Sequence, residues 1–331
     1  MISSLTFRPF RGLIGGHRQT LAGHLTRSRL TWSAPTEDAV VDAPDQVRIL
    51  LRASWQSGAR REHPTLLLIH GLEGCDRSAY MLSTGEWAYR NGWHVVRMNM
   101  RGCGDALEIC PRLYNAGATT DLLAVLEWLA SEVNHISICG FSLGANLALL
   151  TSARHRESVP QSVRAIAAVC PPLDLSVAAD ALSHAHNRLY QLYFMNKLKS
   201  SYIRRQKLLR DVYAPDQAQG CRTVREYDDA VVAPYSGFEN AEDYYRQSSS
   251  GPHLTSLERP TLILSSADDP MIPVQSVVRW AVPTCVNREI TPTGGHVGFV
   301  GQTRAPGRFW AAEKVMHFFD QNRFQIRRTK D

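Results

Sequence analysis

Apolar positions along the chain change rhythm several times, and each change marks out an element. Thr65–Ile69 (TLLLI) is a short, almost wholly apolar run that ends at His70-Gly71. His94–Met100, Ile136–Cys139, Ala165–Cys170 and Thr261–Leu264 repeat the form. Brief continuous apolar runs bounded by Gly or Pro are what strands covered on both faces look like. Helical stretches lie between them, at Ala79–Arg90, Thr120–Val133 and Leu143–Arg156. In the second, Leu122, Leu123, Leu126 and Leu129 recur at helical spacing behind Thr119 and Thr120, two capping candidates. Strand alternating with helix predicts an α/β fold, a mostly parallel sheet wrapped by helices.

The flanks read differently. The first 30 residues mix Gly, Arg and His with apolar residues and predict irregular structure. Ala39–Val41 and Val47–Ser54, on either side of an Ala-Pro-Asp turn, predict a short antiparallel pair. From about Asp174 to Ser256 the alternation stops, and the chain turns helical and polar with bulky residues interleaved. An insertion between two strands of one sheet usually becomes a lid over the carboxyl edge, where open α/β folds bind ligands. Phe309–Phe324 predicts a closing amphipathic helix, followed by a basic tail.

Composition narrows the function classes without naming one. The 331 residues are 44% hydrophobic and 21% charged, ordinary globular values. Lys+Arg 37 against Asp+Glu 31 leaves +6, too little over this surface to argue for nucleic acid. No apolar run approaches the roughly 18 residues of a membrane span, and the N-terminus lacks a signal peptide's apolar stretch. Seven cysteines are scattered without a C-x-x-C pair, which predicts reduced thiols and a cytoplasmic location.

Candidate chemistry begins at Gly140-Phe141-Ser142-Leu143-Gly144, where the third apolar run passes into a helix. This is a G-x-S-x-G nucleophile elbow in the strand–turn–helix setting it requires. Ser142 must take a strained turn to project its hydroxyl above the sheet, and Gly140 and Gly144 let the strand and helix backbones approach. A serine needs a base, and His296 within Gly294-Gly295-His296-Val297-Gly298 follows at the right chain position. The base needs a carboxylate. Asp269 stands after the last apolar run, four residues before Pro273, with Asp268 its immediate rival. The order Ser142, Asp269, His296 is that of α/β-hydrolases. Oxyanion donors are expected from the Leu143 N–H and, in the loop His70–Gly74, from the Leu72 N–H.

These pieces fall within a wider pattern. It includes Gly16-His17-Arg18-Gln19-Thr20, Ser78 and Tyr80, Gly92-Trp93, Asn99–Cys103, Tyr114 to Asp121 and Gly140–Asn146. It continues through Tyr227-Asp228-Asp229, Ala233-Pro234, Gly237-Phe238 and Tyr244-Tyr245 to Gly294–Phe299. On these residues the chain resembles the YheT-type α/β-hydrolases, bacterial relatives of the eukaryotic abhydrolase-domain lipases and esterases. The resemblance implies a serine hydrolase of carboxylic esters, with acylglycerols and phospholipids among the relatives' substrates. Those relatives often carry an N-terminal membrane helix, which has no counterpart in this sequence.

The remaining signals are weaker or negative. There is no H-E-x-x-H, no Cys/His cluster at ligand spacing and no phosphate-binding Gly motif, so neither metal nor organic cofactor is expected. Tyr190, Tyr193, Phe194 and Met195 either line an acyl pocket or form the lid's own small core. The basic run Lys197–Arg210 reads as a solvated face, with weak peripheral contact to an anionic lipid surface as the alternative. The nucleophile precedes the insertion, and acid and base follow it. One domain is therefore expected: 1–57 an N-terminal arm with antiparallel strands, 58–173 the first half of the core, 174–256 the lid, 257–331 the second half. The expected activity is ester hydrolysis through an acyl-enzyme. Thioesterase or acyltransferase chemistry on the same residues, and non-catalytic ligand binding on the same fold, are the rivals.

Overall fold

A computed structural model describes residues 5–28 and 30–323. Its framework is one eight-stranded sheet: β1 (Glu37–Ala43), β2 (Val47–Ser54), β3 (Thr65–Ile69), β4 (His94–Met98), β5 (Ile136–Phe141), β6 (Val163–Val169), β7 (Thr261–Ser266) and β8 (Val286–Thr291). The spatial order is β1-β2-β4-β3-β5-β6-β7-β8. β1 and β2 form the predicted antiparallel pair, β2 joins β4 antiparallel, and every later pairing is parallel.

Strands β3, β4, β5 and β7 are buried along their whole length, as their apolar runs require. Separate hydrophobic clusters fill the two faces of the sheet. The helix Leu143–Arg154 is buried from Leu143 to Ala153, so it is the central helix of the fold. The helix Thr119–Glu132 buries Leu122, Leu126 and Leu129, but its N-cap is Ala118. Thr119 and Thr120 are therefore not caps, and the Thr119 hydroxyl instead meets His155 Nε2 at 2.9 Å.

Within the first 30 residues, expected to be irregular, Gly16–Arg27 is a helix. It lacks an apolar stripe and is held by polar contacts to residues near 300, which local pattern cannot reveal. Between β6 and β7 the chain runs through helices at Leu175–Ser183, Arg188–Leu208 and Ala241–Ser248, with shorter turns between them. The closing helix spans Trp310–Asn322; Phe324 and the basic tail lie outside the described residues. No helix among the described residues is long and apolar enough to cross a membrane.

Asn146 fastens the inserted helices to the central one. Its side chain is fully buried, donates to Ser248 O at 2.8 Å and accepts from Ser250 N at 2.9 Å. Replacing it by Leu strands both backbone groups, at about 1–3 kcal/mol each. Urea unfolding of Asn146→Leu is expected to show a loss of that order, and a change within about 0.5 kcal/mol would contradict the role given to this amide.

Candidate active site

Ser142 stands at the carboxyl end of β5, with φ 52 and ψ −119. A non-glycine residue there is strained, and only a surrounding structure that over-determines it holds it. The constraint is close packing. A Cβ added to Gly144 would come within 2.3 Å of His70 O, so the central helix can meet β3 only without a side chain. The turn exposes the hydroxyl, and His296 Nε2 lies 2.9 Å from Ser142 Oγ. His296 Nδ1 in turn lies 2.9 Å from Asp269 Oδ2. Oδ1 of the same carboxylate accepts from Met271 N and Ile272 N, which fixes its plane.

The neighbouring aspartate has a different task. Asp268 accepts from Gly294 N and Gly295 N at 2.9 Å each and from the Thr293 hydroxyl at 2.5 Å. It braces the loop that carries His296. Cys170 backs the same assembly: its thiol, the Asp269 carboxylate and the His296 ring lie within 4.8 Å of one another. The imidazole and carboxylate already join each other, and the sulfur accepts from Val297 N at 3.4 Å, so the trio is a braced loop. Burial pushes the Cys170 thiol well up, which keeps it protonated.

The expected oxyanion donors flank the serine. Among the described residues, the Leu72 N–H, in a turn, donates to no acceptor, and the Leu143 N–H donates to none outside its own helix. The amides beside Leu72 are both engaged: Gly71 N donates to the Tyr80 hydroxyl and Glu73 N to the Tyr114 hydroxyl, each at 2.9 Å. His70, fully buried, accepts from Met100 N on Nε2, so its proton sits on Nδ1 and is donated to Gly71 O. Burial pushes its pKa down to about 4, and the ring stays neutral. Sequence reasoning missed these props, although Tyr80 and Tyr114 stood in the pattern quoted above.

Two cavities meet at Ser142 and His296. The apolar one runs under the inserted helices, past Leu175, Ala178, Leu182, Leu198 and Val232. The more polar one opens past Thr20, Arg77 and Lys197, with Glu73 on the wall of both. Of the four insertion residues named from sequence, Phe194 lines both cavities and Tyr193 the polar one. Met195 is buried in the core instead, and Tyr190 stacks on His17 with ring centroids 5.6 Å apart. The basic run is not wholly a solvated face either. Arg205 is fully buried, donating to Gly102 O and Ser201, beside Glu73.

Residues 64–302 match the alpha/beta hydrolase fold family. YheT of Escherichia coli (strain K12), which carries a provisional esterase designation, is 32% identical over 95% of this chain and 92% of its own. A monoacylglycerol lipase of Saccharomyces cerevisiae is 28% identical over 77% of this chain and 58% of its own. In shape, the Pyrococcus furiosus esterase Pf2001 superimposes with a TM-score of 0.58 at 16% identity, covering 88% of this chain and 96% of that one.

The buried, neutral His70 makes a pH prediction. Its folded pKa, about 4, lies below the unfolded value near 6.5, so the unfolded chain binds the proton first. Its contribution is therefore unaffected above pH 6.5 and becomes destabilising as pH falls toward 4, by up to about 3 kcal/mol. His135, also lowered to about 4, adds to the same window. In urea titrations the stability gap between wild type and His70→Gln should narrow from pH 7 to pH 4; a constant gap would refute the assignment.

Proposed function

The chain belongs to the alpha/beta hydrolase fold family, among the YheT-type relatives of the esterases and lipases, and from that premise we propose that it hydrolyses carboxylic esters through a Ser142–His296–Asp269 relay. The observation that carries the reading is the unbroken row of 2.9 Å contacts from the strained serine through the imidazole to the carboxylate. Ser142 Oγ attacks the ester carbonyl while its proton passes to His296 Nε2. Asp269 holds the Nδ1–H and stabilises the imidazolium. The oxyanion that forms is met by the N–H groups of Leu143 and Leu72. When the carbonyl re-forms, the C–O bond to the leaving alcohol breaks and His296 protonates that oxygen. The acyl group now sits on Ser142. Water attacks it, giving its proton to His296, and the acid leaves as Oγ recovers the proton.

The two cavities divide the substrate. The apolar one suits the acyl chain, and the polar one suits the alcohol, which makes an acyl lipid a fitting substrate. Residues 174–256 act in this reading as a lid on a single catalytic domain spanning 1–331. The free state of all seven thiols supports a cytoplasmic location.

Hydrolysis of p-nitrophenyl acyl esters tests the relay. Ser142→Ala should lose on the order of 10⁴-fold or more in kcat and should fail to react with a fluorophosphonate. Asp269→Asn should lose about 10⁴-fold, because the amide favours the wrong imidazole tautomer. Asp268→Asn should retain at least about tenfold more activity than Asp269→Asn, since it touches only the loop. Full activity in Ser142→Ala would end the proposal, and equal losses at the two aspartates would remove the distinction between them. Product analysis with a thioester or an added alcohol separates hydrolysis from the related acyl transfers.

A further inference from the structure

The stretch Gly16–Thr20 opens the N-terminal helix far from the relay in sequence, yet its side chains reach the loop that carries His296. Thr20 Oγ1 accepts from the backbone N–H of His296 at 2.9 Å and donates to Gly16 O at 2.8 Å. Gln19, with no exposure at all, accepts from Val300 N and donates to Val300 O and Leu13 O, pinning the far side of the same loop. Arg27 donates to Val297 O at 2.7 Å and Gly298 O at 2.9 Å. The fit leaves no slack. Gly295 takes φ +58, and a Cβ there would lie 2.3 Å from Gly16 O and 2.6 Å from Thr20 Oγ1. At its outer end the helix meets the insertion, where the His17 ring stacks on Tyr190 with an interplanar angle of 5° and Nδ1 lies 3.2 Å from the hydroxyl.

We infer that Thr20 and Gln19 are positioning residues for His296, and that the N-terminal helix is the strut setting the imidazole against Ser142. The inference rests on the reading of His296 as the base. Thr20 also lines the cavity beside Ser142, but its hydroxyl is spent on the backbone from which the ring projects, so its effect is expected in kcat and not in KM. A loop with two glycines before the histidine and one after would otherwise let the ring wander, and errors of about 1 Å cost roughly 10²-fold in rate.

Thr20→Val keeps the shape and removes the acceptor, while Thr20→Ser keeps the acceptor. Expected for Thr20→Val are a fall of about tenfold or more in kcat, KM within about twofold, and faster amide hydrogen exchange across 294–298. Thr20→Ser should restore both readouts. Exchange measures the loop whether or not ester turnover is present, so it separates failure of the strut from failure of the ester-hydrolase reading. Unchanged exchange and kcat in Thr20→Val would overturn the inference. So would a kcat loss that simply follows the folded fraction and is not rescued by serine.

A separate observation concerns the acyl side. Asp228 lines the apolar cavity and opens the π-helical turn Asp228–Val232, a form that clusters at functional sites. Its Oδ2 accepts from the Tyr245 hydroxyl at 2.7 Å, and among the described residues its Oδ1 accepts from none. Burial pushes this carboxyl up to about 7. The same wall carries Glu73, Tyr114, Tyr227, Tyr244 and Tyr245 among its Leu, Ala, Val and Ile side chains, and Glu73 is already joined to the Tyr114 hydroxyl. The open oxygen of Asp228 is therefore an acceptor that a ligand hydroxyl can meet. We propose that Asp228 selects acyl groups carrying a hydroxyl. This too rests on Ser142 as nucleophile: hydrolysis of the unsubstituted ester reports on the serine, and the ratio between esters reports on Asp228.

The experiment compares p-nitrophenyl hexanoate with its 3-hydroxy and 6-hydroxy analogues. Wild type should favour one hydroxylated ester by about tenfold or more in kcat/KM. Asp228→Asn should keep part of that preference, and Asp228→Leu should reverse it. The wild-type ratio stands even if the leucine variant does not fold. Wild-type preference for the plain ester over both analogues would overturn the proposal.

Discussion

The backbone strain at Ser142 is the constraint on which the rest of the molecule depends. A side chain at φ 52 is tolerable only if strand, turn and helix are locked on every side. The lock is a chain of close approaches. The central helix meets the end of β3 at Gly144, and His70 ties that strand end to Met100 and Gly71. Asn146 ties the same helix to the close of the insertion. The serine is thus held by elements from four parts of the chain, and its hydroxyl has one well-defined direction.

The imidazole is positioned by a different logic. It sits on a glycine-rich loop with little stiffness of its own, so rigidity is imported. Asp268 supplies it from one side and Thr20, Gln19 and Arg27 from the other. Adjacent aspartates divide the labour: one orients the ring, and the other orients the loop that bears it. Arg27 is informative because its guanidinium faces two carbonyls and the Phe309 ring at 4.3 Å. Burial lowers its pKa to about 9, which still leaves it charged at neutral pH and able to make strong bonds to those carbonyls.

How much of this was legible in the sequence follows from where each residue's environment comes from. Strands β3 to β7 could be read because burial on both faces writes itself as an unbroken apolar run. Strand β8 could not, because an edge strand reading Val-Asn-Arg-Glu-Ile-Thr is polar on its exposed side. The elbow, the candidate base and the loop His70–Gly74 stand out because Gly-bounded turns at strand ends have few other uses. Spacing to Pro273 favoured Asp269 over its neighbour only by analogy; the two side chains leave the turn in different directions, which no spacing encodes. The N-terminal helix was invisible for the opposite reason to the strands. Its stability comes from hydrogen bonds to residues some 270–280 positions away, and Arg205 was misread because a cationic helix face is normally wet.

The docking of that N-terminal helix onto the loop around residue 296 has a consequence for biosynthesis. The helix has no complete binding surface until the residues some 270–280 positions further on have been made. Until then the helix is an unpartnered segment. Contacts over such a separation form slowly, because the entropy of closing the loop precedes any gain from the contact. A chain interrupted before residue 298 would possess the serine and the sheet around it, yet its opening residues would have nowhere to settle.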